Sequence, residues 1–441
     1  LFSNDGDGTF TDVSVAAGLT ADLPSNGCGF ADIDNDGDLD LYLTTLFGDT
    51  RFYLYVNNGD GTFTEDAVAR GLDLTSAETH SGFGISFGDY NRDGYVDIHT
   101  SEWRPDSAVV SPPAPSNNRL FRNEGAGNPG VFVDVTDAAG VNVDAIAPVP
   151  GTGSDGGDQG PGVYGFTSAF VDLEQDGWQD LWLNSDFGIG QIFWNDTDGT
   201  FTNGTAAAGI GTESNGMGLA LGDANRDGRI DVFVTSIYAA DDRPRDGNRL
   251  WSYDGGGSRT FTDVTTGSGV RHGFFGWGTA FLDYDNDADL DIVQTNGFPL
   301  VQDGEWTDDP MRLWRNNGTG VYTEVSDIEG VLDQRQGKGL AVLDYDNDGD
   351  VDILVTCLNG PPILLRNDSP PGNWLGVDLV GTRSNRDGFG SLVTIEAGGR
   401  HQVKLVRCPS GYLSSGDRRV HFGLGDQETV QRVVVKWPSG V

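Results

Sequence analysis

The sequence predicts an all-β protein: a β-propeller with calcium-binding loops, followed by a small C-terminal β-domain. Three observations lead there. An acidic nine-residue loop recurs six times along 441 residues, alternating apolar runs flank each copy, and a short hairpin phrase returns between copies.

The clearest copy of the loop is Asp344-Tyr345-Asp346-Asn347-Asp348-Gly349-Asp350-Val351-Asp352. Carboxylates at positions 1, 3, 5 and 9 can converge on one hard cation, while position 7 offers its backbone carbonyl and the glycine at position 6 permits the sharp turn. The other copies place Asp32, Asp34, Asp36, Asp38 and Asp40 in these roles, then Asp89, Asn91, Asp93, Tyr95 and Asp97. Further along come Asp172, Glu174, Asp176, Trp178 and Asp180, then Asp223, Asn225, Asp227, Arg229 and Asp231. The fifth copy supplies Asp283, Asp285, Asp287, Asp289 and Asp291, and the sixth Asp344, Asp346, Asp348, Asp350 and Asp352. The cofactor expected is therefore calcium, at about six sites. A single such phrase could be an ordinary Asp/Asn/Gly turn, but six in register form a structural repeat. An EF-hand would need a glutamate at position 12 and helices on both sides. These flanks (39–43, 96–98, 230–234 and 351–355) alternate and are rich in β-branched residues, which makes them strands.

First ligands at 32, 89, 172, 223, 283 and 344 give spacings of 57, 83, 51, 60 and 61 residues. Between them, residues 1–19, 55–72, 120–141, 192–210, 250–270 and 313–332 each read as strand, Gly/Asn/Asp turn and strand. One repeat then runs strand A, calcium loop, strand B, connection, strand C, hairpin and strand D, which is a propeller blade. Six complete units are expected, with an orphan C and D pair at 1–19. Seven blades are favoured and six remain possible; the missing A and B strands would come from upstream of Leu1 or from strands after residue 366. Aromatic residues on A strands (Phe83, Phe87, Phe166, Phe170, Trp277 and Phe281) are read as packing between blades.

Two loops depart from the pattern. Ala288 replaces the position-6 glycine of the fifth, where a left-handed backbone costs a residue with a Cβ on the order of 1 kcal/mol. Glu174 replaces aspartate in the third, and its longer arm shifts the coordination.

Propeller residues are expected over 1–370 and the β-domain over 371–441, with tail strands at 374–380, 392–397, 402–407, 420–424 and 430–437. Arg383, Arg386 and Asp387 read as a structural ion network. Cys28, Cys357 and Cys408 show neither pairing nor metal spacing and are expected to be buried thiols. The net charge is −40, and 25 of the 67 acidic residues occupy odd positions of the six loops, so bound calcium would neutralise much of it. No basic stripe exists for nucleic acid or an anionic membrane surface, and no apolar run reaches bilayer length. No signal-peptide pattern opens the chain at Leu1, so it reads as a mature or trimmed piece. Loops of this kind fill where calcium is millimolar, which points to a secreted or cell-surface location.

The phrases at 30–38 and at 313–318 (Leu-Trp-Arg-Asn-Asn-Gly) resemble FG-GAP or VCBS repeats, as in integrin α-subunit propellers. The tail, with Gly-Thr-Arg-Ser-Asn-Arg-Asp-Gly-Phe-Gly at 381–390, His-Phe-Gly-Leu-Gly at 421–425 and Val-Lys-Trp-Pro-Ser-Gly at 435–440, resembles the ASPIC/UnbV domain of the cartilage acidic protein family. That resemblance implies secreted or surface-exposed, calcium-binding proteins and no particular reaction. Both ends of this chain look clipped relative to the family pattern.

The five histidines never fall at transition-metal spacing, no nucleophile elbow or phosphate loop is present, and the paired carboxylates are already engaged as calcium ligands. No catalytic residue is assigned. Two functions are carried: an extracellular calcium-binding propeller acting in binding, adhesion or structure, with self-association possible, and a carbohydrate-active enzyme of lyase or dehydratase type. Matches to the N-glycosylation acceptor begin at Asn195, Asn203, Asn317 and Asn367, and arise readily in an Asn-rich turn protein. In an antiparallel blade the A–B and C–D turns share one face, so the long insertions at 101–118, 142–165, 236–248 and 296–312 emerge on the other. A protein or glycan ligand is expected there, with His80, Trp103, Arg104, Tyr164, Tyr238, Arg243, His272, Trp306, Arg335 and Lys338 as candidates.

Overall fold

The computed structural model describes all residues except 47–50, 75–79, 104–117, 144–145, 147–163, 189, 240–246, 299–305, 359, 371, 408–410 and 441. Among them, five four-stranded antiparallel sheets follow one another as meanders. The first runs Ser25–Ala31, Asp40–Thr45, Tyr53–Asn57 and Phe63–Glu65. The others begin with the A strands Gly82–Gly88, Gly165–Val171, Leu219–Gly222 and Gly276–Leu282. Short helices at Thr205–Ala208, Thr265–Ser268 and Ser326–Glu329 follow D strands, each ending at a left-handed glycine.

The sixth sheet corrects the expectation of a complete unit: it has only Gly337–Leu343, Asp352–Cys357 and Ile363–Leu365. After Leu365 the sequence lacks the Asp-Gly-Thr-Phe hairpin phrase, and Pro370 has no backbone N–H to give to a ladder. The hairpin Phe2–Asn4 with Phe10–Asp12 pairs only with itself.

Two kinds of staple order the sheets around the axis. A strand-C asparagine donates to the position-2 carbonyl of the preceding loop: Asn123 to Ile33 O (2.9 Å), Asn195 to Tyr90 O (2.9 Å), Asn316 to Ala224 O (2.8 Å) and Asn367 to Tyr284 O (2.7 Å). Asn4 makes the same bond to Tyr345 O at 2.7 Å, which sets the N-terminal hairpin beside the sixth sheet, in the position that follows it. Near the axis, B-strand hydroxyls reach the next A strand, as Thr44 Oγ1 does to Phe83 O (2.8 Å) and Thr235 Oγ1 to Trp277 O (2.6 Å). Glycine is required for this approach, because a Cβ on Gly27 would stand 2.1 Å from Phe83 O.

The A strands of the second, third and fifth sheets are buried along their whole length, whereas Ser25–Ala31 is half exposed. Cys28 is consequently exposed on the latter strand, which corrects the buried-thiol expectation; Cys357 is half-buried, and Cys408 lies outside the described residues.

The tail forms two small antiparallel sheets, Asn373–Val377 with Val420–Gly425, and Arg400–Leu405, Leu392–Ala397 and Val430–Lys436. Two strands end earlier than expected, at Val377 and Leu405, and none of the tail strands pairs with the N-terminal hairpin. Their apolar face shares one core with the propeller: Phe389, Val393, Ile395 and Phe422 pack with Tyr42, Ile85 and Phe87. A tail segment also enters the axis. Gly411 bridges to Leu219, and the Tyr412 ring lies 6.3, 5.7 and 5.2 Å from those of Phe83, Phe166 and Trp277. Thus Phe83, Phe166 and Trp277 serve the axial hub as well as packing between neighbouring sheets.

Truncating a buried aromatic costs about 3–5 kcal/mol. Tyr412→Ala is therefore expected to lower unfolding free energy by about 3 kcal/mol or more in urea denaturation, and to raise amide exchange in the A strands of the second, third and fifth sheets. A change below about 1 kcal/mol would show that the segment does not fill the axis in solution.

Candidate metal centres on one face of the propeller

Each nine-residue loop is made by the same backbone turn. Position 6 has positive φ in all six loops, from +78° at Ala288 to +106° at Gly37, so Ala288 adopts the strained conformation its sequence position demanded. Position 4 is left-handed as well, at Asn35, Arg92, Gln175, Arg226, Asn286 and Asn347. No glycine marks that position, and sequence reading missed it.

Carboxylates hold these turns. The position-1 aspartate accepts the backbone N–H groups of positions 5 and 6, as Asp32 does from Asp36 (3.0 Å) and Gly37 (2.9 Å), and Asp223 from Asp227 and Gly228 (both 2.9 Å). In the second loop Asp89 Oδ2 accepts Gly94 N at 3.1 Å, and Asp93 N donates to Asn91 Oδ1 at 3.1 Å. The position-9 aspartate does something the spacing did not reveal. One oxygen accepts the position-2 N–H, and the other accepts the N–H of a strand-C residue: Asp40 from Asn57 (2.8 Å), Asp97 from Asn123 (2.8 Å), Asp180 from Asn195 (2.9 Å) and Asp291 from Asn316 (2.8 Å).

Positions 3 and 5 carry less of this internal bonding. In the first, fifth and sixth loops one oxygen from each of three aspartates lies within 4.8 Å of the others: Asp32, Asp34 and Asp36; Asp283, Asp285 and Asp291; Asp344, Asp346 and Asp348. Two position-7 side chains point elsewhere: Trp178 lies under Arg92 at 4.9 Å, and Asp350 accepts from Asn286 at 2.8 Å. Burial raises the inner carboxyls, taking Asp32, Asp172 and Asp223 to about 6 and Asp40, Asp89, Asp231 and Asp283 to about 7. Burial pushes Asp97, Asp180 and Asp291 up strongly, with neighbouring acids adding to it. Oxygen-only donors, some sealed from solvent without a partner (Asp34 Oδ1, Asp89 Oδ1 and Asp285 Oδ1), fit a hard divalent cation.

The C-terminal domain lies on this same face. It carries nine Lys/Arg against six Asp/Glu over 371–441, leaving 18 against 61 for the propeller. Arg386 Nε stands 3.5 Å from Asp32 Oδ2, and Lys436 Nζ 4.0 Å from Asp172 Oδ2. Asp387 accepts from Arg418 (3.0 Å) and from Asp32 N (2.8 Å), so Arg386 and Asp387 do join a structural ion network.

The candidates for a ligand face separate into groups. His80 is 1% exposed and its Nδ1 lies 3.1 Å from Glu102 Oε2; Tyr164 and Trp306 are also buried, and Trp103 is half-buried, its ring 5.9 Å from that of Tyr164. Lys338 sits over Trp277 at 4.4 Å and donates to Gly297 O, with burial lowering its ammonium to about 7. These residues join or border the axial hub. Tyr238 stacks on exposed His272 at 4.1 Å, and nearby Phe274 is exposed beneath Arg312 at 4.7 Å. Arg335 is exposed and paired to Asp333 at 2.7 Å, while Arg104 and Arg243 lie outside the described residues. Sequence reading missed Tyr412, Phe274 and Arg312; nothing in their local pattern separates them from ordinary strand and loop residues.

Meander sheets around an axis, with an acidic turn between strands A and B and a small β-domain seated on those turns, define a β-propeller of the acidic-loop repeat class. Comparison with known families agrees: the FG-GAP-like repeat model matches residues 1–43, 32–100, 172–234 and 301–355, and the ASPIC and UnbV model matches 381–441. The chain carries FG-GAP-like repeats followed by an ASPIC and UnbV domain, and cartilage acidic protein 1 is a homologue of it. It is 26% identical to the human and mouse proteins of that name over 94% of its own length, and spans 60% and 61% of theirs. Among solved structures it is similar to Trypanosoma rangeli sialidase (TM-score 0.41, 13% identity, 82% of this chain and 56% of that one). A Bacillus licheniformis rhamnogalacturonan lyase gives a TM-score of 0.38 at 16% identity, over 94% of this chain and 70% of that one. Likenesses this loose bear on neither substrate nor reaction.

The raised carboxyls set a pH dependence. In metal-free protein they bind protons more tightly when folded than at the unfolded value of 3.8, so their contribution favours the fold at low pH and is lost as pH rises through about 6 to 7. Melting in chelator is expected at a higher temperature at pH 5 than at pH 8, with the order reversed in saturating calcium, where protons compete with the ion. The same order under both conditions would contradict the assignment.

Proposed function

We propose that the chain is an extracellular, calcium-stabilised propeller that serves as a binding or structural module, with its ligand surface on the face opposite the acidic loops. The observation that carries this reading is the sixfold recurrence of one turn, whose aspartates converge within 4.8 Å in the first, fifth and sixth loops and leave a sealed, unpartnered carboxylate oxygen in the first, second and fifth. Calcium bound there would join strands A, B and C of each sheet through the position-1 and position-9 carboxylates, which favours a structural role. The C-terminal domain already covers the loop face, and Tyr412 fills the axis, so the remaining broad surface is the far face with Tyr238, His272 and Phe274. Long loops on a rigid scaffold are where binding residues concentrate. Carbohydrate chemistry at the axis has less support, since the nearby His80–Glu102 pair is sealed.

Asp346 makes the cleanest test, being exposed and free of any hydrogen bond that holds the loop. Calcium is expected to raise the melting temperature by many degrees over a verified metal-free sample. Asp346→Asn should shrink that gain while leaving the metal-free transition in place. An identical transition with and without calcium would remove the basis for the reading. For the far face, Phe274→Ser with His272→Ala is expected to abolish capture on a glycan or matrix-protein array at unchanged calcium-dependent melting. Undiminished capture would move the ligand surface elsewhere.

A further inference from the structure

The six loops differ in how their charge is already balanced. In the first, fifth and sixth, three aspartates converge within 4.8 Å. In the first, second and fifth, a carboxylate oxygen is sealed from solvent with no hydrogen-bond partner: Asp34 Oδ1, Asp89 Oδ1 and Asp285 Oδ1, with Asp89 itself 1% exposed. The third and fourth loops show neither feature.

What they have instead is an arginine bonded directly to a would-be ligand. Arg259 Nη2 lies 2.7 Å from Glu174 Oε2 in the third loop, and Arg229 Nη2 lies 2.6 Å from Asp227 Oδ2 in the fourth. Neither guanidinium is loosely held. Arg229 is position 7 of its own loop and its Nε donates to Tyr253 O at 3.0 Å. Arg259 comes from the C–D hairpin of the fourth sheet and lies over the Trp194 ring at 5.2 Å, which explains why the third loop carries glutamate: the longer arm reaches that arginine. In the first and fifth loops, by contrast, Arg70 and Arg315 stand off at 3.6 and 3.4 Å from one oxygen of Asp34 and Asp285 and leave the other oxygen unpartnered. Cations of the C-terminal domain approach loops of both groups, Arg386 the first, Lys404 the fifth and Lys436 the third, so they do not separate them. In the fifth loop Arg226 pairs with Asp289, but position 7 offers its backbone carbonyl and not its side chain.

Resting on the calcium reading above, we infer that the sites fall into two classes. The first, second, fifth and sixth loops take calcium, whereas the third and fourth carry a built-in arginine counter-ion and bind it about tenfold or more weakly. A metal entering either of the latter must first break a charge-assisted hydrogen bond, and a tenfold loss corresponds to only about 1.4 kcal/mol. It must also share the site with a fixed positive charge.

The test titrates the metal-stripped chain with calcium by calorimetry, and maps terbium by anomalous scattering in crystals soaked at graded concentration. Four equivalents are expected in the tight class. Arg229→Gln and Arg259→Gln should each move one further equivalent into it, lowering the dissociation constant of that site about tenfold; both side chains are partly exposed, and circular dichroism checks their folding. Six equivalents of one affinity, variants with unchanged titrations, or terbium filling the third and fourth loops together with the first and fifth would overturn the division. Should a variant misfold, the loop-by-loop occupancies of the unaltered chain still decide. Absence of binding at every loop is a different result, and it would sink the calcium reading itself.

Discussion

The rest of the structure depends on the buried carboxylate at loop position 9. Its two oxygens accept backbone N–H groups from two places, the turn it terminates and strand C of its own sheet. The strand-C residue clamped in this way is an asparagine in every sheet that also staples itself to the preceding loop, and in the fourth sheet, where Tyr253 takes the place, the staple is missing. One aspartate per sheet therefore fixes the turn, the sheet and, through its neighbour, the spacing around the axis. A charge-assisted bond of this kind is worth roughly twice a neutral one, but only after the cost of burying the anion has been met. That cost is what makes a cation in the loop valuable.

The seating of the C-terminal domain follows from the same excess of charge. The propeller concentrates its acids on one face, and the domain brings a surplus of Lys and Arg to it. Exposed ion pairs contribute little individually, so Arg386 near Asp32 and Lys436 near Asp172 do not by themselves hold the domain. The shared core of Phe389, Val393, Ile395 and Phe422 with Tyr42, Ile85 and Phe87, together with Tyr412 in the axis, supplies the burial, and the charges select the face and the orientation.

Much of this was legible from residue order. Short-range chemistry writes itself into spacing: a turn that needs oxygens at alternate positions and a left-handed residue at the sixth leaves an Asp-x-Asp-x-Asp-Gly trace, and Ala288 shows the backbone demand persisting when the glycine is gone. The strands around it were equally plain. The incomplete sixth sheet was legible too, in the missing hairpin phrase after Leu365, but the regularity of the earlier repeats argued over it. Cys28 was misjudged because its burial depends on which sheet stands beside it around the ring, not on its own strand.

By itself, then, the sequence determined the repeat, the position-6 demand of the turn and the candidate ligands, since each rests on contacts within about ten residues. The small terminal β-domain was legible from its motif phrases, although its strands pair residues as far apart as Asn373 and Gly425. Tertiary structure alone decided that His80, Tyr164 and Trp306 turn inward, that Tyr412 occupies the axis, and that Arg259 from one sheet meets Glu174 of another. Those pairings join residues 22 to 329 positions apart, and no local period records them. They follow from the way a closed array brings loop ends and A strands together around one axis, where charge and volume are balanced between sheets and not within them.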